Sequence, residues 1–432
     1  MVLSEQRWLR FGAFCAFYFA QGAPLGLLSI AIPAWLAEEG ATVGELAWFT
    51  GFVSAPWAFK LVAGPFMDRF KFLPMGFRRP WVMGAQGGLA LSLVALAAMG
   101  NIDVEFLTPL MVTGFVVNAF AATQDVAVDG MAIDILPEDE RGRANAFMAA
   151  GQVCGFSAFG ALCGTLLPLV GLPVTALVCA VTVVAIFVLV ALVRERPGER
   201  RLPWTPGKAA PREGAELGIV DIVRDLVRVL VFPMSLLLIA VEFLNRARDG
   251  IALAVFPSFA VTEVGVTAAQ YSRFISAMGV IAAVMGVLLG PFIDRHGAKR
   301  FLLVSLVISA ACHVIAGLLT DLWQDRDFII VLYLVGAVAS QLIFVAIIAL
   351  FMNLCWTAIS ATQFSVYMAL ANLSRTVGGL LFALIADDMG FGQHFLIMAG
   401  LLVLAALVLL PFDHVSNSRL LEQVMDPAGA RR

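Results

Sequence analysis

The sequence predicts an all-α membrane protein with twelve transmembrane helices in two pseudo-symmetric six-helix bundles. Composition gives the first reason: of 432 residues, 61% are hydrophobic and 14% charged, with mean hydropathy +0.92, more than a water-soluble core requires. Second, apolar stretches recur at 9–37, 46–66, 81–100, 106–135, 145–168, 173–193, 233–261, 270–293, 301–320, 328–353, 360–386 and 393–411. Third, the chain repeats itself. Gly64-Pro65-Phe66-Met67-Asp68-Arg69 ends the second stretch and Gly290-Pro291-Phe292-Ile293-Asp294-Arg295 ends the eighth, identical at five of six positions. Gly40 and Thr42 precede the first copy about as closely as Gly265 and Thr267 precede the second.

Span 1 follows a short segment holding Arg7 and Arg10. It is longer than a signal-peptide apolar region and lacks a small-x-small cleavage site, so it reads as a retained span. With the N-terminus inside, 22 of the 28 Lys and Arg fall in cytoplasmic segments, one (Arg326) falls outside, and five lie within spans. This bias predicts cytoplasmic termini, with Ala41, Asn101 and Asp388 outside. Arg194–Phe232 is the only long polar stretch. It opens Pro-rich and basic, then alternates Ile219, Ile222, Val223, Leu226 and Leu230 with Asp221, Arg224, Asp225 and Arg228, an amphipathic helix on the membrane face. The expected domains are a first bundle (1–193), this linker (194–232), a second bundle (233–412) and a tail (413–432). Duplicated six-span halves are a transporter architecture, with substrate bound between them near mid-membrane.

Polar residues inside the spans are the candidates for chemistry. Span 4 carries Gln124, Asp125 and Asp129, the acids spaced i,i+4 on one face. At 1.5 Å per residue they lie roughly 16 and 10 Å from the helix end. Carboxylates at that depth face a water-filled path or a partner. They are either a proton or substrate relay or a charge cluster locking two helices. Lys60, in span 2, either pairs with one of these acids or snorkels to the interface. Span 7 carries Glu242, Arg246, Arg248 and Asp249. Glu242 and Arg246 can pair along the helix, and the Arg246 fork suits a carboxylate or phosphate. Arg375 in span 11 has no acid nearby in its own helix, which points to an acid elsewhere or to an anionic substrate. Gly22, Pro24, Gly26 and Pro33 in span 1, and Gly250 and Pro257 in span 7, loosen two helices at comparable places.

The paired G-P-x-x-D-R motifs resemble the signature loop of the major facilitator superfamily. That resemblance implies that Asp68, Arg69, Asp294 and Arg295 join helix ends on the cytoplasmic side and stabilise the outward-facing state. The second copy continues His296-Gly297-Ala298-Lys299-Arg300, close to the family pattern; the first inserts Phe70–Met75 before Gly76-Phe77-Arg78-Arg79. Gln21-Gly22-Ala23-Pro24-Leu25-Gly26, Ala58-Phe59-Lys60-Leu61, Arg78-Arg79-Pro80-Trp81 and Thr123–Asp129 look like the muropeptide permease branch, which includes acetyl-CoA transporters and is related to siderophore permeases. The branch commonly has an aromatic two residues after the second acid, where this chain has Met131.

A secondary active transporter is therefore expected, moving a muropeptide-like or siderophore-like organic solute across the inner membrane by alternating access, coupled to protons. Asp125, Asp129 and Glu242 are the proton-coupling candidates. Gln21, Gln124, Arg246 and Arg375 are the substrate-binding candidates, Lys60 the ion-pair candidate, and Asp68, Arg69, Arg78, Arg79, Asp294 and Arg295 the gating-loop residues. The alternative is a non-transporting membrane assembly factor or receptor of the same fold. Enzymatic activity is not expected: no Walker motif is present, and His313 has no acid near it in sequence. The six cysteines and four histidines have no paired or metal-ligand spacing, so no cofactor or metal is expected. Partners are a small-molecule substrate, protons and the bilayer, with no nucleic acid; a monomer is expected.

Overall fold

The structure, a computed structural model, describes residues 1–60, 63, 66–67, 73–101, 106–137, 140–208, 219–356 and 360–413. Its first helix, α1 (Arg7–Glu38), is not regular. Pro24 and Pro33 each remove a backbone donor, and between them the helix widens into a π turn at Leu27–Ala31. Helix α2 (Val43–Ser54) starts at a capping box in which Thr42 and Glu45 satisfy each other's amides, and it tightens into 3₁₀ turns at Ala55–Phe59. The rest of the expected second span lies mostly outside the described residues, and Asp68 and Arg69 with it.

Helices α3 (Arg79–Ala98) and α4 (Leu107–Ile135) follow. The run Arg141–Leu192 is two helices, α5 and α6, which meet at Gly171 (φ 76°, ψ 174°) between Pro168 and Pro173. That backbone conformation is one that glycine alone adopts readily. Then come α7 (Ile219–Leu230), the expected linker helix, α8 (Pro233–Thr262), α9 (Ala268–His296), α10 (Ala298–Leu318), α11 (Arg326–Leu354), α12 (Ser360–Ala383) and α13 (Phe391–Leu409).

Nine stretches among the described residues are long and apolar enough to cross a membrane. Arg143–Leu192 counts once although it holds two helices, α8 is disqualified by its central charges, and α2 continues into residues not described. With those three allowances the twelve-helix expectation fits.

The chain forms two compact units, Met1–Glu213 with Phe256–Val280, and Gly214–Val255 with Ile281–Arg432. In the first, Phe11, Phe14 and Phe17 of α1 meet Val82 of α3, Val128 and Met131 of α4, and Val190 of α6. Helices α1 and α5 approach backbone to backbone. A Cβ on Gly151 would lie 2.2 Å from the Cys15 carbonyl oxygen, one on Gly155 2.4 Å from that of Phe19, and one on Gly22 2.5 Å from the Phe156 amide. Without a hydrophobic force between helices in lipid, such small-residue seams are what let them pack. The second unit is built around Leu238 and Val241 of α8, Leu302 and Leu306 of α10, Ile343 and Phe351 of α11, Tyr367 of α12 and Leu402 of α13. Its equivalent pair, α8 and α12, repeats the seam: a Cβ on Gly250 would lie 2.1 Å from the Arg375 carbonyl oxygen, and one on Gly378 2.3 Å from Ala247. The pseudo-symmetry read from the loop motifs thus extends to how each half packs its first and fifth spans.

The chain just after α6 is fastened to the first unit. Leu3 and Ser4 donate their amides to the carbonyls of Arg194 and Glu195 at 2.8 and 3.0 Å. The Glu195 carboxylate accepts the amides of Phe77 (2.8 Å), Arg78 (2.7 Å) and Arg79, placing an anion on the otherwise uncapped start of α3. Arg79 is completely buried. Its guanidinium donates to the carbonyls of Val190 (2.9 Å) and Ala191 (2.8 Å) in the last turn of α6, and to those of Arg200 (2.8 Å) and Arg201. Burial, with the charge of Glu195 adding, pushes the Glu199 carboxyl up to about 7.

Gly155→Leu should destabilise the protein by about 1–3 kcal/mol through overpacking, whereas Gly12→Leu, where a Cβ meets nothing within 4 Å, should not. Loss of the monodisperse peak on heating reads this directly; equal midpoints for the two variants would show that the seam yields. Because the folded Glu199 holds its proton up to about 7 against an ordinary 4.5, the folded chain binds more protons than the unfolded one in that interval. Stability should therefore fall as pH rises through it. Glu199→Gln should flatten that slope in the same heating assay run across pH.

Candidate functional site

In the first unit the polar residues of α1, α2 and α4 converge. Asp125, buried on α4, accepts a hydrogen bond from Gln21 Nε2 at 2.6 Å and is ion-paired with Lys60. The Lys60 ammonium also lies 4.5 Å from the centroid of the Trp57 ring. The Lys60 side chain is thus directed at the α4 acid and the Trp57 ring. Two donors, one of them cationic, thus converge on Asp125. Asp129, one turn further on the same face, has different surroundings. It accepts the Tyr18 hydroxyl and makes no ion pair among the described residues. Tyr18 was not singled out from sequence, although it stands three residues before Gln21 and so shares its face of α1.

Gln124 is buried and donates to the Phe17 carbonyl at 2.7 Å, tying α4 to α1. Its Oε1 has no partner among the described residues, and neither has the buried Nε1 of Trp57.

The second unit gathers a mainly self-compensating cluster on α8. Arg246 donates to Glu242 Oε1 at 2.7 Å and to Asp249 Oδ2 at 3.1 Å, and lies 5.3 Å from the centroid of the Phe344 ring. Asp249 also pairs with the buried Arg248 at 3.0 Å. Asn245 donates to Glu242 Oε2 at 3.1 Å, and Arg248 reaches Ser340 of α11 at 3.3 Å. Spacing announced the Glu242–Arg246 pair. Asp249, three residues beyond Arg246, carried the same signal, while Ser340 on another helix gave none.

Arg375 makes neither an ion pair nor a hydrogen bond among the described residues, and its Nε is buried without a partner. Its backbone is pressed against Gly250, so it stands beside the Arg246–Asp249 group. A guanidinium left open in low dielectric is a receptor for a carboxylate or phosphate.

Of the loop residues, Asp68 and Arg69 and the side chain of Asp294 lie outside the described residues. Arg295 is exposed at the end of α9. Arg78 pairs with Asp134 at 3.4 Å, and Arg79 is spent on backbone carbonyls as described above. His313 sits with Nδ1 2.6 Å from the Ser309 carbonyl.

The family model described as Major Facilitator Superfamily matches residues 11–245 and 238–430. The anhydromuropeptide permease of Escherichia coli (strain K12) is 28% identical over 399 residues, covering 91% of this chain and 77% of the permease. A putative transporter, AmpG 4, of Rickettsia conorii is 23% identical over 395 residues, covering 90% and 93%. Among solved structures, a D-xylose-proton symporter superposes with TM-score 0.74 at 14% identity, covering 95% of this chain and 99% of the symporter. The nucleoside transporter NupG gives TM-score 0.70 at 11% identity, covering 93% and 99%. At these identities the two structures speak to the fold alone.

Asp125→Asn should leave Lys60 as an uncompensated buried charge and cost on the order of 3–5 kcal/mol. Lys60→Met in the same chain should recover part of that loss. Yield and heating midpoint of the two variants test this, and a double variant no better than the single would show that the pair is not the source.

Proposed function

The chain belongs to the major facilitator superfamily of membrane transporters, and on that premise we propose that it is a proton-coupled carrier of an organic anion. The solute class is muropeptide-like or siderophore-like, and the route is alternating access across the inner membrane. The likeness to an anhydromuropeptide permease over most of the chain favours the muropeptide side of that class. The distribution of Lys and Arg supports cytoplasmic termini. The working unit is a monomer.

One observation carries the coupling: two carboxylates on one face of α4 with unlike surroundings. Asp125 is ion-paired with Lys60 and fixed by Gln21, whereas Asp129 accepts a phenol hydroxyl and has no ion pair among the described residues. Neighbouring carboxylates in a low dielectric resist being ionised together. The one lacking a cation is the one that gains and loses the proton. Asp129 is therefore the coupling acid, and Asp125 is the fixed charge beside it. In the second unit the substrate anion is taken by Arg375 beside Arg246; Gln21 and Gln124 are the substrate-binding candidates of the first unit. Glu242, already engaged by Arg246 and Asn245, is the next coupling candidate. The loop residues Asp68, Arg69, Arg78, Arg79, Asp294 and Arg295 belong to the gate that selects between facing states.

Uptake into proteoliposomes under an imposed pH gradient tests this, with an anhydromuropeptide, a ferric siderophore and an acyl-CoA as the solutes. Asp129→Asn should reduce uphill accumulation to background while leaving solute exchange without net proton movement intact. Full accumulation by Asp129→Asn would remove it from the coupling step and move attention to Glu242. Binding without uptake for every solute would favour a receptor of the same fold.

A further inference from the structure

The turn joining α9 to α10 opens a cavity of about 640 Å³. Its walls are Arg295, His296, Lys299, Arg300, Phe412 and Asp413. Gly297, at φ 92°, makes the tight turn into α10, and no side chain caps that helix's first amides. The floor is rigid. Lys299 donates to the carbonyls of Leu410 and Phe412, at 2.7 Å each, closing the end of α13. The His296 ring stacks on Phe292 at 6.5 Å between centroids and is tilted against Phe301 at 6.2 Å.

That leaves two guanidiniums. Arg295 and Arg300 are exposed and make no ion pair among the described residues. Together with the positive end of α10, they give the cavity the chemistry of an anion receptor, suited to a planar fork meeting phosphate oxygens.

What lies beneath identifies the source of the anion. Val284, Leu288 and Phe292 are all exposed and spaced four apart, so they form one apolar stripe along α9. The same face continues to Arg295 and His296. On α13, Val403 and Leu407 are likewise exposed and spaced four apart, and Leu410 just beyond the helix is exposed as well. An exposed apolar surface ending in a basic hollow matches a two-part ligand with acyl chains along the stripe and a charged headgroup at its end. A free phosphate would use only the upper part.

We propose that this hollow is a binding site for the phosphate headgroup of an anionic membrane lipid, held by Arg295 and Arg300, with its acyl chains along the Val284–Leu288–Phe292 stripe.

Native mass spectrometry of the purified full chain in detergent tests the site, with phosphatidylglycerol, phosphatidylcholine and inorganic phosphate as probes. Phosphatidylglycerol should be retained about thirtyfold more than phosphatidylcholine, the scale for two arginines at about 1 kcal/mol each near an anionic surface. Arg295→Gln with Arg300→Gln should abolish that preference, and Arg300→Gln alone should weaken it. Arg224→Gln with Arg228→Gln, the same charge change on α7, should leave it intact. Undiminished preference in the Arg295/Arg300 variant, or equal loss in the α7 variant, would overturn the proposal. Displacement of the lipid by an equimolar amount of inorganic phosphate would also overturn it, assigning the cavity to a free anion.

Discussion

The ion pair between Lys60 and Asp125 is the constraint around which the first half of the molecule is arranged. A charge taken from water into a low-dielectric interior is tolerated only when a partner and further hydrogen bonds meet it. Here the partner comes from beyond α2, the further donor is Gln21 of α1, and the acid belongs to α4. Three helices are thereby committed to one point. Gln124, the residue before the acid, adds its bond to the α1 backbone, and the whole face of α4 is fixed in rotation. Asp129 inherits that orientation without sharing the charge compensation.

The second half reaches an analogous arrangement by other means. Its acids and cations lie on one helix and neutralise one another locally, so α8 carries much of its own compensation. The interhelical device there is steric: Gly250 and Gly378 let α8 and α12 touch, and the open Arg375 is held beside the cluster by that contact. One half thus fixes its polar face mainly with charge and the other mainly with glycine. Both use the glycine seam to bring the first and fifth spans together.

Much of this was legible in the sequence because helical spacing is local. The shared face of Asp125 and Asp129, the Glu242–Arg246 pair and the absence of an acid for Arg375 all follow from counting along one helix. The duplicated loop motif gave the two-bundle plan, since hydropathy and repetition need no tertiary contact. What escaped depends on contacts far apart in the chain. The Tyr18 hydroxyl on Asp129 spans 111 residues. Arg79 reads from sequence as one more loop cation, yet it bonds only carbonyls; a donor seeking backbone oxygens leaves no complementary residue to find. Gln124 looks like a group waiting for substrate, and only the fold reveals that its amide nitrogen is already engaged by Phe17.

The Glu195 carboxylate on the first amides of α3 has a consequence for how the chain is made. The third span leaves the ribosome about 116 residues before the residue that caps it. Until then, three amides at the head of that helix and the guanidinium of Arg79 are without the partners they have in the finished protein. The third span must therefore enter the bilayer in a provisional form, satisfied by water at its mouth. It becomes fixed only when the sixth span has crossed and the strand behind it folds back. Assembly of the first bundle is closed from its end, by the last piece synthesised.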